Sequence, residues 1–244
     1  MKMPPEREAL ANNSTPILSA LAGSHWDASS ENSLAVDGLD PIPYETLEAS
    51  GIPRDVADKL NYRNLTPADV EDALGYSMPG CWGVKYTNPD GSDVLVDGKP
   101  FIRVRCPEGV KPKYRTRKGA GNRIYFSPLL EPAMLSSGKP LLITEGEKCT
   151  DSANHHGFPC IGLAGVHNWK DKTSPDGLPE LKEINLEDGR QVLICFDSDL
   201  TTNPRVLDAA FKLAEWVSAP NHRSAKPYFV QLPCELNGKK KWHR

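Results

Sequence analysis

The sequence predicts an α/β protein: a parallel sheet with helices on both faces, preceded by a small basic α+β unit. Three observations carry the prediction. Leu141-Leu142-Ile143-Thr144 is a short apolar run that ends in Glu145-Gly146-Glu147-Lys148. Val192-Leu193-Ile194-Cys195-Phe196 repeats the arrangement about fifty residues later and ends in Asp197-Ser198-Asp199. Runs of this kind read as buried strands of a parallel sheet. Between residues 82 and 126 the pattern alternates instead, and basic residues crowd into it.

In chain order, residues 1–42 are rich in Ser, Asn, Ala and Pro and poor in large apolar residues, so a flexible N-terminal arm is expected, or one that orders on a partner. Residues 43–126 form the expected helical plus β unit. From Pro43 to Tyr76, Tyr44, Leu47, Ile52, Val56, Leu60, Val70, Ala73 and Leu74 recur at helical spacing, which predicts two or three short helices. Thr66-Pro67 supplies an N-cap and a first-turn proline, and Gly75 a stop. Two alternating stretches follow, from Gly83 and from Phe101 to Arg105, which suggests antiparallel strands. Alternation places Arg103 and Arg105 on the face opposite Ile102 and Val104.

The basic run continues with Lys113, Arg115, Arg117, Lys118 and Arg123, and between 103 and 123 only Glu108 opposes it. Tyr114, Tyr125 and Phe126 are interleaved. Lysines meet phosphates, while arginine planes and tyrosine rings stack on bases, so the run suits single-stranded nucleic acid or nucleotides. The plainer reading is a solvated strand face.

Residues 127–244 form the expected sheet domain. A Pro- and Ser-rich connector leads to the strand at 140–144, a helix over 147–156 that stops at Gly157, and a strand over 158–163. Residues 170–189 read as a polar insertion with one helical turn. After the second acidic turn, Asn203 caps a helix and Pro204 begins it, with Val206, Ala210, Leu213, Ala214 and Val217 as its apolar stripe. Lys226 to Leu232 reads as the last strand. Strand-helix-strand order implies right-handed crossovers.

Ligands of open α/β sheets bind beyond the carboxyl ends of the strands. Glu145, Asp197 and Asp199 would converge there as hard oxygen donors, a set suited to Mg²⁺ or Mn²⁺. Lys148 is expected at the same edge, either as a phosphate contact or as a counter-ion to the acids. His155 and His156 close a helix and read as partners of its dipole. Trp169 reads as a pocket wall or a core anchor.

Composition narrows the classes. With 244 residues, 39% hydrophobic and 25% charged, the chain can bury an ordinary core. No stretch approaches the roughly 20 apolar residues that span a bilayer, and no signal-like core opens the chain, so a cytoplasmic protein is expected. The six cysteines lack any Cys-x-x-Cys pair, which argues against a disulfide framework and a zinc ribbon. A net charge of −3 excludes a general polycation but leaves a local basic groove open.

The strings Ile143 to Lys148, Ile161 to Trp169 and Phe196 to Asp199 with Asn203-Pro204 resemble a TOPRIM-like domain of phage, plasmid and mobile-element replication primases. The resemblance covers roughly residues 110–233. It implies a Rossmannoid sheet and a Mg-dependent primase-type nucleotidyltransferase that copies single-stranded DNA from nucleoside triphosphates, working with a replicative helicase. Glu145, Asp197 and Asp199 would be its metal and catalytic residues with Lys148, and Arg103, Arg105, Lys113, Arg115, Arg117, Lys118 and Arg123 would hold template or nucleotide. The alternatives are a metal-dependent nuclease and a non-catalytic DNA-binding or helicase-loading module. A Gly-x-Asp-Asp-like segment generally follows the last strand in that family, and this sequence has the basic stretch Lys239 to Arg244 instead, so a fragment or a short relative is expected.

Overall fold

The computed structural model describes residues 41–197, 200, 202–220 and 223–232. The expected arm up to residue 40, Asp199 and the basic tail lie outside the described residues. Two sheets organise the rest.

The first is built from residues 41–115. Helices α1 (Tyr44–Glu48), α2 (Arg54–Ala57) and α3 (Pro67–Leu74) occupy the stretch with helical spacing, and a strand, β1 (Tyr62–Leu65), interrupts it. That strand was not predicted. It forms because its backbone pairs antiparallel with β2 (Cys81–Lys85), with Tyr62 opposite Val84 and Leu65 opposite Cys81. Helix α3 starts as its sequence requires. The Thr66 hydroxyl accepts from the Asp69 amide at 3.2 Å, and the Asp69 carboxylate accepts from the Thr66 amide at 2.8 Å. Gly75 ends the helix at φ +85°, where a side chain would be strained.

A small hairpin, β3 (Leu95–Val96) with β4 (Lys99–Pro100), fills the long connection to β5 (Ile102–Arg105), and β6 (Tyr114–Arg115) completes an antiparallel sheet of order β1-β2-β5-β6. Cross-strand partners share a face. Tyr62, Val84 and Arg103 therefore line one face together with Trp82, Arg105 and Tyr114. Val104 and Arg115 share the other, where Leu65, Val70, Leu74 and Cys81 form a small core under α3.

The second sheet collects β7 (Ile124–Phe126), β8 (Leu141–Glu145), β9 (Cys160–Leu163), β10 (Gln191–Cys195) and β11 (Lys226–Phe229). The short helix α4 (Ala133–Ser136) precedes β8, α5 (Glu147–His155) joins β8 to β9, and α6 (Pro204–Val217) joins β10 to β11. Strand order is β11-β10-β8-β9-β7, parallel except for β7, which pairs antiparallel with β9. β7 was expected in the basic unit, so the larger sheet claims residues 124–126 from it. Its centre, Tyr125, is shared between the two units.

Chain direction reverses in the middle of this sheet. From β8 the chain steps through α5 to β9, and from β10 it steps the opposite way through α6 to β11. With right-handed crossovers the two helices must cover opposite faces. The α6 face is apolar: Leu141, Ile143, Ile161, Leu163, Val192 and Ile194 pack with Val206, Ala210, Leu213 and Val217 of α6 and with a 3-10 turn at Pro179–Glu183. Each fully buried aliphatic side chain there contributes about 1.5–3 kcal/mol. Trp169 belongs to this core, its ring 5.1 Å from that of Trp216. The α5 face is polar, as described below.

β11 is one edge strand of this sheet and β7 the other, each with a neighbour on one side only among the described residues. The Lys226 and Val230 amides donate inward to Arg190 and Ile194, so Pro227 occupies an outward-facing position. No helix among the described residues is long and apolar enough to cross a membrane.

Candidate functional site

The reversal between β8 and β10 is a topological switch point, the place in an open α/β sheet where a crevice opens beyond the strand ends. The two strands run side by side in register, with Leu142 opposite Leu193 and Thr144 opposite Cys195. One step past the last pair stand Glu145 on β8 and Phe196 on the other chain segment, and Asp197 follows. The two predicted acids thus sit at the carboxyl ends of adjacent strands. Gly146, at φ +86°, turns the chain sharply into α5, and its amide is fixed by the Leu163 carbonyl at 2.7 Å.

Cys149, on the first turn of α5, reports how close these groups are. Burial first and Asp197 second, with smaller contributions from Cys195 and Glu145, push its thiol up to about 12, while Lys148 pulls it down. The thiol is therefore protonated at neutral pH and lies within electrostatic reach of both acids and of Lys148. Among the described residues no group of three or more His, Cys, Asp or Glu side chains is arranged to hold a metal ion. The third predicted donor, Asp199, lies outside the described residues.

Behind the acidic turn, α5 packs its polar stripe against the sheet and against the first unit. Thr144 and Thr150 hydroxyls meet at 2.9 Å. Gly162 on β9 lies directly beneath Thr150, so close that a Cβ there would collide with the threonine hydroxyl. Asn154 binds β9 twice, donating to the Cys160 carbonyl at 2.9 Å and accepting from the Cys160 amide at 3.2 Å.

Two buried carboxylates face the small sheet. Glu147 accepts from the Tyr86 hydroxyl at 2.5 Å and from the Arg103 guanidinium at 2.7 Å. Arg103 also donates to the Ala164 carbonyl at 2.9 Å, in the turn after β9. Burial works against the charge of Arg103, but Glu147 and then Tyr86 outweigh it and hold the guanidinium above its ordinary value. One turn on, Asp151 accepts from Tyr62 at 2.7 Å and from Tyr125 at 3.0 Å. Complete burial pushes its carboxyl up to about 7, against hydrogen bonds from Ser127, Tyr62 and Tyr125 that pull it down; Glu147 adds a smaller upward push. Burial likewise raises the hydroxyls of Tyr62, Tyr86 and Tyr125 well above their ordinary value.

None of Glu147, Asp151, Tyr62, Tyr86 and Cys149 was singled out from the sequence. A signal was present. Glu147, Thr150, Asp151 and Asn154 recur at helical spacing along α5, where a crossover helix ordinarily carries its apolar stripe. A βαβ helix must bury one face, so a polar stripe there means a polar interface.

The predicted basic residues divide. Arg103 is held by Glu147. Arg105 donates to the Cys106 carbonyl at 2.5 Å, with its guanidinium 5.5 Å from the Tyr114 ring centre on the face shared with Arg103. Lys113 lies 5.8 Å from the same ring. Arg115, on the opposite face, donates to the Tyr76 hydroxyl at 2.8 Å and the Lys111 carbonyl at 2.9 Å. Arg117 donates to the Asp72 carbonyl. Arg123 donates to the Asn122 carbonyl at 2.7 Å and lies 3.6 Å from Glu180. Lys118 is exposed. Lys148 is half-buried; burial lowers its amino group, Cys149 pulls it back up, and Lys113 and Arg105 lower it by less. The run therefore does not form one continuous strip. Arg105 and Lys113 flank the Tyr114 ring, within electrostatic reach of Lys148, and Arg115 and Arg117 turn toward α3.

Residues 133–239 match a family described as a domain of unknown function (DUF3854). The match spans less than half of the chain and contains the parallel strands β8, β9, β10 and β11 with both acids. No curated protein and no solved structure matches the chain.

Proposed function

We propose that this chain is a primase-type nucleotidyltransferase of a mobile-element replication protein, extending a primer on single-stranded DNA from nucleoside triphosphates. One observation carries the reading: Glu145 and Asp197 stand at the carboxyl ends of adjacent parallel strands, at the switch point of the sheet. The resemblance to TOPRIM-like replication domains supplies the reaction class.

The donor chemistry fits a hard divalent cation. Both acids offer oxygen, and the thiol beside them, Cys149, stays protonated and does not compete as a soft ligand. Glu145 and Asp197, joined by Asp199, would hold Mg²⁺ or Mn²⁺, which when bound neutralises charge on the triphosphate oxygens. In the transfer, the primer 3′-oxygen forms a bond to the α-phosphorus while the bond to the bridging oxygen breaks, and pyrophosphate leaves with that electron pair. Glu145 would act either as a further metal ligand or as the acceptor of the hydroxyl proton. Arg105 and Tyr114, cross-strand partners on one face of the small sheet, would steer template or nucleotide toward the acids. A cytoplasmic setting and a helicase partner belong to the same proposal.

The test is primer synthesis by the purified chain on a mixed single-stranded template. Labelled nucleotides are supplied with and without Mg²⁺ or Mn²⁺, beside Glu145→Gln, Asp197→Asn and Asp199→Asn. Short products that need metal and vanish in the variants are expected. Template shortening with the same sensitivities would assign a nuclease. Strand binding without either reaction would assign a recognition module.

A further inference from the structure

We propose that Cys81 and Cys106 are a redox-modification site, which a peroxide converts into a disulfide that staples β2 to β5. The proposal is independent of the nucleotidyltransferase reading. Both cysteines are free thiols in this structure, and their wide spacing in the chain matches no cysteine motif. The register of the small sheet is what brings them together.

Trp82 on β2 stands opposite Arg105 on β5. On the far side of the cysteines the two chain segments are still in contact, because a Cβ added to Gly80 would lie 3.4 Å from the Pro107 Cγ. Cys81 and Cys106 therefore face each other between two pairs of neighbours. Hydrogen-bonded and non-hydrogen-bonded pairs alternate along an antiparallel ladder. The Tyr86 amide donates to the Phe101 carbonyl at 3.0 Å, and the cysteines lie an odd number of steps further along, at a non-hydrogen-bonded pair. Consistently, the Cys106 amide turns away from β2 and donates to the Lys113 carbonyl at 2.9 Å. Cα atoms of such a pair are about 4.5 Å apart, within the roughly 4.4–6.8 Å that a disulfide spans.

Cross-strand partners share a face, and Cys81 packs there with Leu65 and Val104 in the small core under α3. Both cysteines are buried, at 3% and 2% exposure, so a small oxidant suits the site better than a bulky one. Arg115 lies on the same face, opposite Val104. Its terminal nitrogens donate to Tyr76 and Lys111, while its buried Nε has no acceptor among the described residues. A cation fixed beside two sulfurs favours loss of a thiol proton. Burial first and Cys106 second hold the Cys81 thiol above its ordinary value, and Arg115 pulls it back. In the reaction, one thiolate attacks a peroxide oxygen, the O–O bond breaks, and the departing hydroxide takes up the proton as water. The second thiol then attacks the sulfur of the resulting sulfenic acid, the S–S bond forms, and the oxygen leaves as a second water. Two thiols thus give up two electrons and two protons, and the peroxide is reduced to two waters. The bond closes residues 82–105 into a loop and ties together the segments that present Tyr86 and Arg103 to Glu147.

The experiment treats the full, folded chain with hydrogen peroxide, alkylates the remaining thiols in denaturant and maps the unreduced peptides by mass spectrometry. A peptide pair joining Cys81 to Cys106, two hydrogens lighter than its parts and released by reductant, is expected. Closing a loop of this size should also raise the melting temperature of the oxidised chain by about 5–10 °C over the reduced one. Cys81→Ala and Cys106→Ala should each abolish both signals, and melting of the reduced variants shows whether they fold. If a variant does not fold, the peptide map and melting shift of the parent chain decide by themselves. The proposal is overturned if Cys81 and Cys106 are recovered as separate alkylated or sulfinic peptides, if each joins other cysteines as readily as its partner, or if the bond forms only in urea. A joined pair that leaves the melting temperature unchanged, or lowers it, would show that the native sheet does not accommodate the bond and would overturn it equally.

Discussion

The Arg103 guanidinium meets the Glu147 carboxylate at 2.7 Å, bridging forty-four positions of chain and joining the small sheet to the first turn of α5. Both groups are largely withdrawn from water, and Tyr86 completes the carboxylate's shell. Removing one partner strands the other as a buried charge. Arg103→Met should therefore cost about 3–5 kcal/mol. Arg103→Met with Glu147→Met should recover a good part of that loss, and a double-mutant cycle in urea gives the coupling directly. An Arg103→Met variant within about 1 kcal/mol of the parent would show that the pair contributes nothing to stability.

Asp151 makes stability depend on pH. Its carboxyl sits at about 7 in the folded protein, above the ordinary aspartate value near 3.8. Between these values the folded state holds a proton that the unfolded state has lost, so this group stabilises most below pH 4 and its contribution falls as pH rises to 7. The full change is on the order of 4 kcal/mol. Urea midpoints from pH 4 to 8 should show this component, and Asp151→Asn should remove it. The same slope in Asp151→Asn would place the titration elsewhere.

Gly162 is required by the approach of α5 to the sheet. An added methyl would strike the Thr150 hydroxyl and come within 3.2 Å of the Tyr125 Cβ. Overpacking of this kind costs about 1–3 kcal/mol. Gly162→Ala should lower the melting temperature by several degrees, and adding Thr150→Ala should restore part of it, although that change also removes the hydrogen bond to Thr144. Equal melting of parent and Gly162→Ala would mean that the helix can shift without loss.

Cys149 offers a reporter of the acids. Its thiol is held up to about 12 by burial first and Asp197 second, so alkylation at pH 8 should be slow. Asp197→Asn should speed it severalfold, because one opposing charge is gone while the burial remains. The rate is best followed by mass spectrometry of the Cys149 peptide, since the chain carries six cysteines. An unchanged rate in Asp197→Asn would separate the two residues in space.

Much of this molecule was legible one element at a time. β8 and β10 announce themselves as apolar runs with acids at their ends, and Asn203-Pro204 and Thr66-Pro67 mark helix starts that the structure reproduces. What escaped was set by partners far away. Tyr62–Leu65 becomes a strand because β2 pairs with it, and nothing in Tyr-Arg-Asn-Leu alone demands that. Arg103 reads as one more member of a basic run until Glu147 is seen opposite it. Asp151 looks like an ordinary helix-surface acid, and only its tyrosines, one of them eighty-nine positions away, show that it is interior. Asp197 was visible in sequence because it follows a strand, while its nearness to Cys149 depends on which strands become neighbours.

The proline in β11 governs how the molecule behaves in company. An open strand edge is a template on which another chain can zip, amide by amide. At the outward position that Pro227 occupies, no amide hydrogen exists to begin the zipper. Among the described residues this rim therefore lacks one of the outward donors that a neighbouring copy would need in order to extend the ladder.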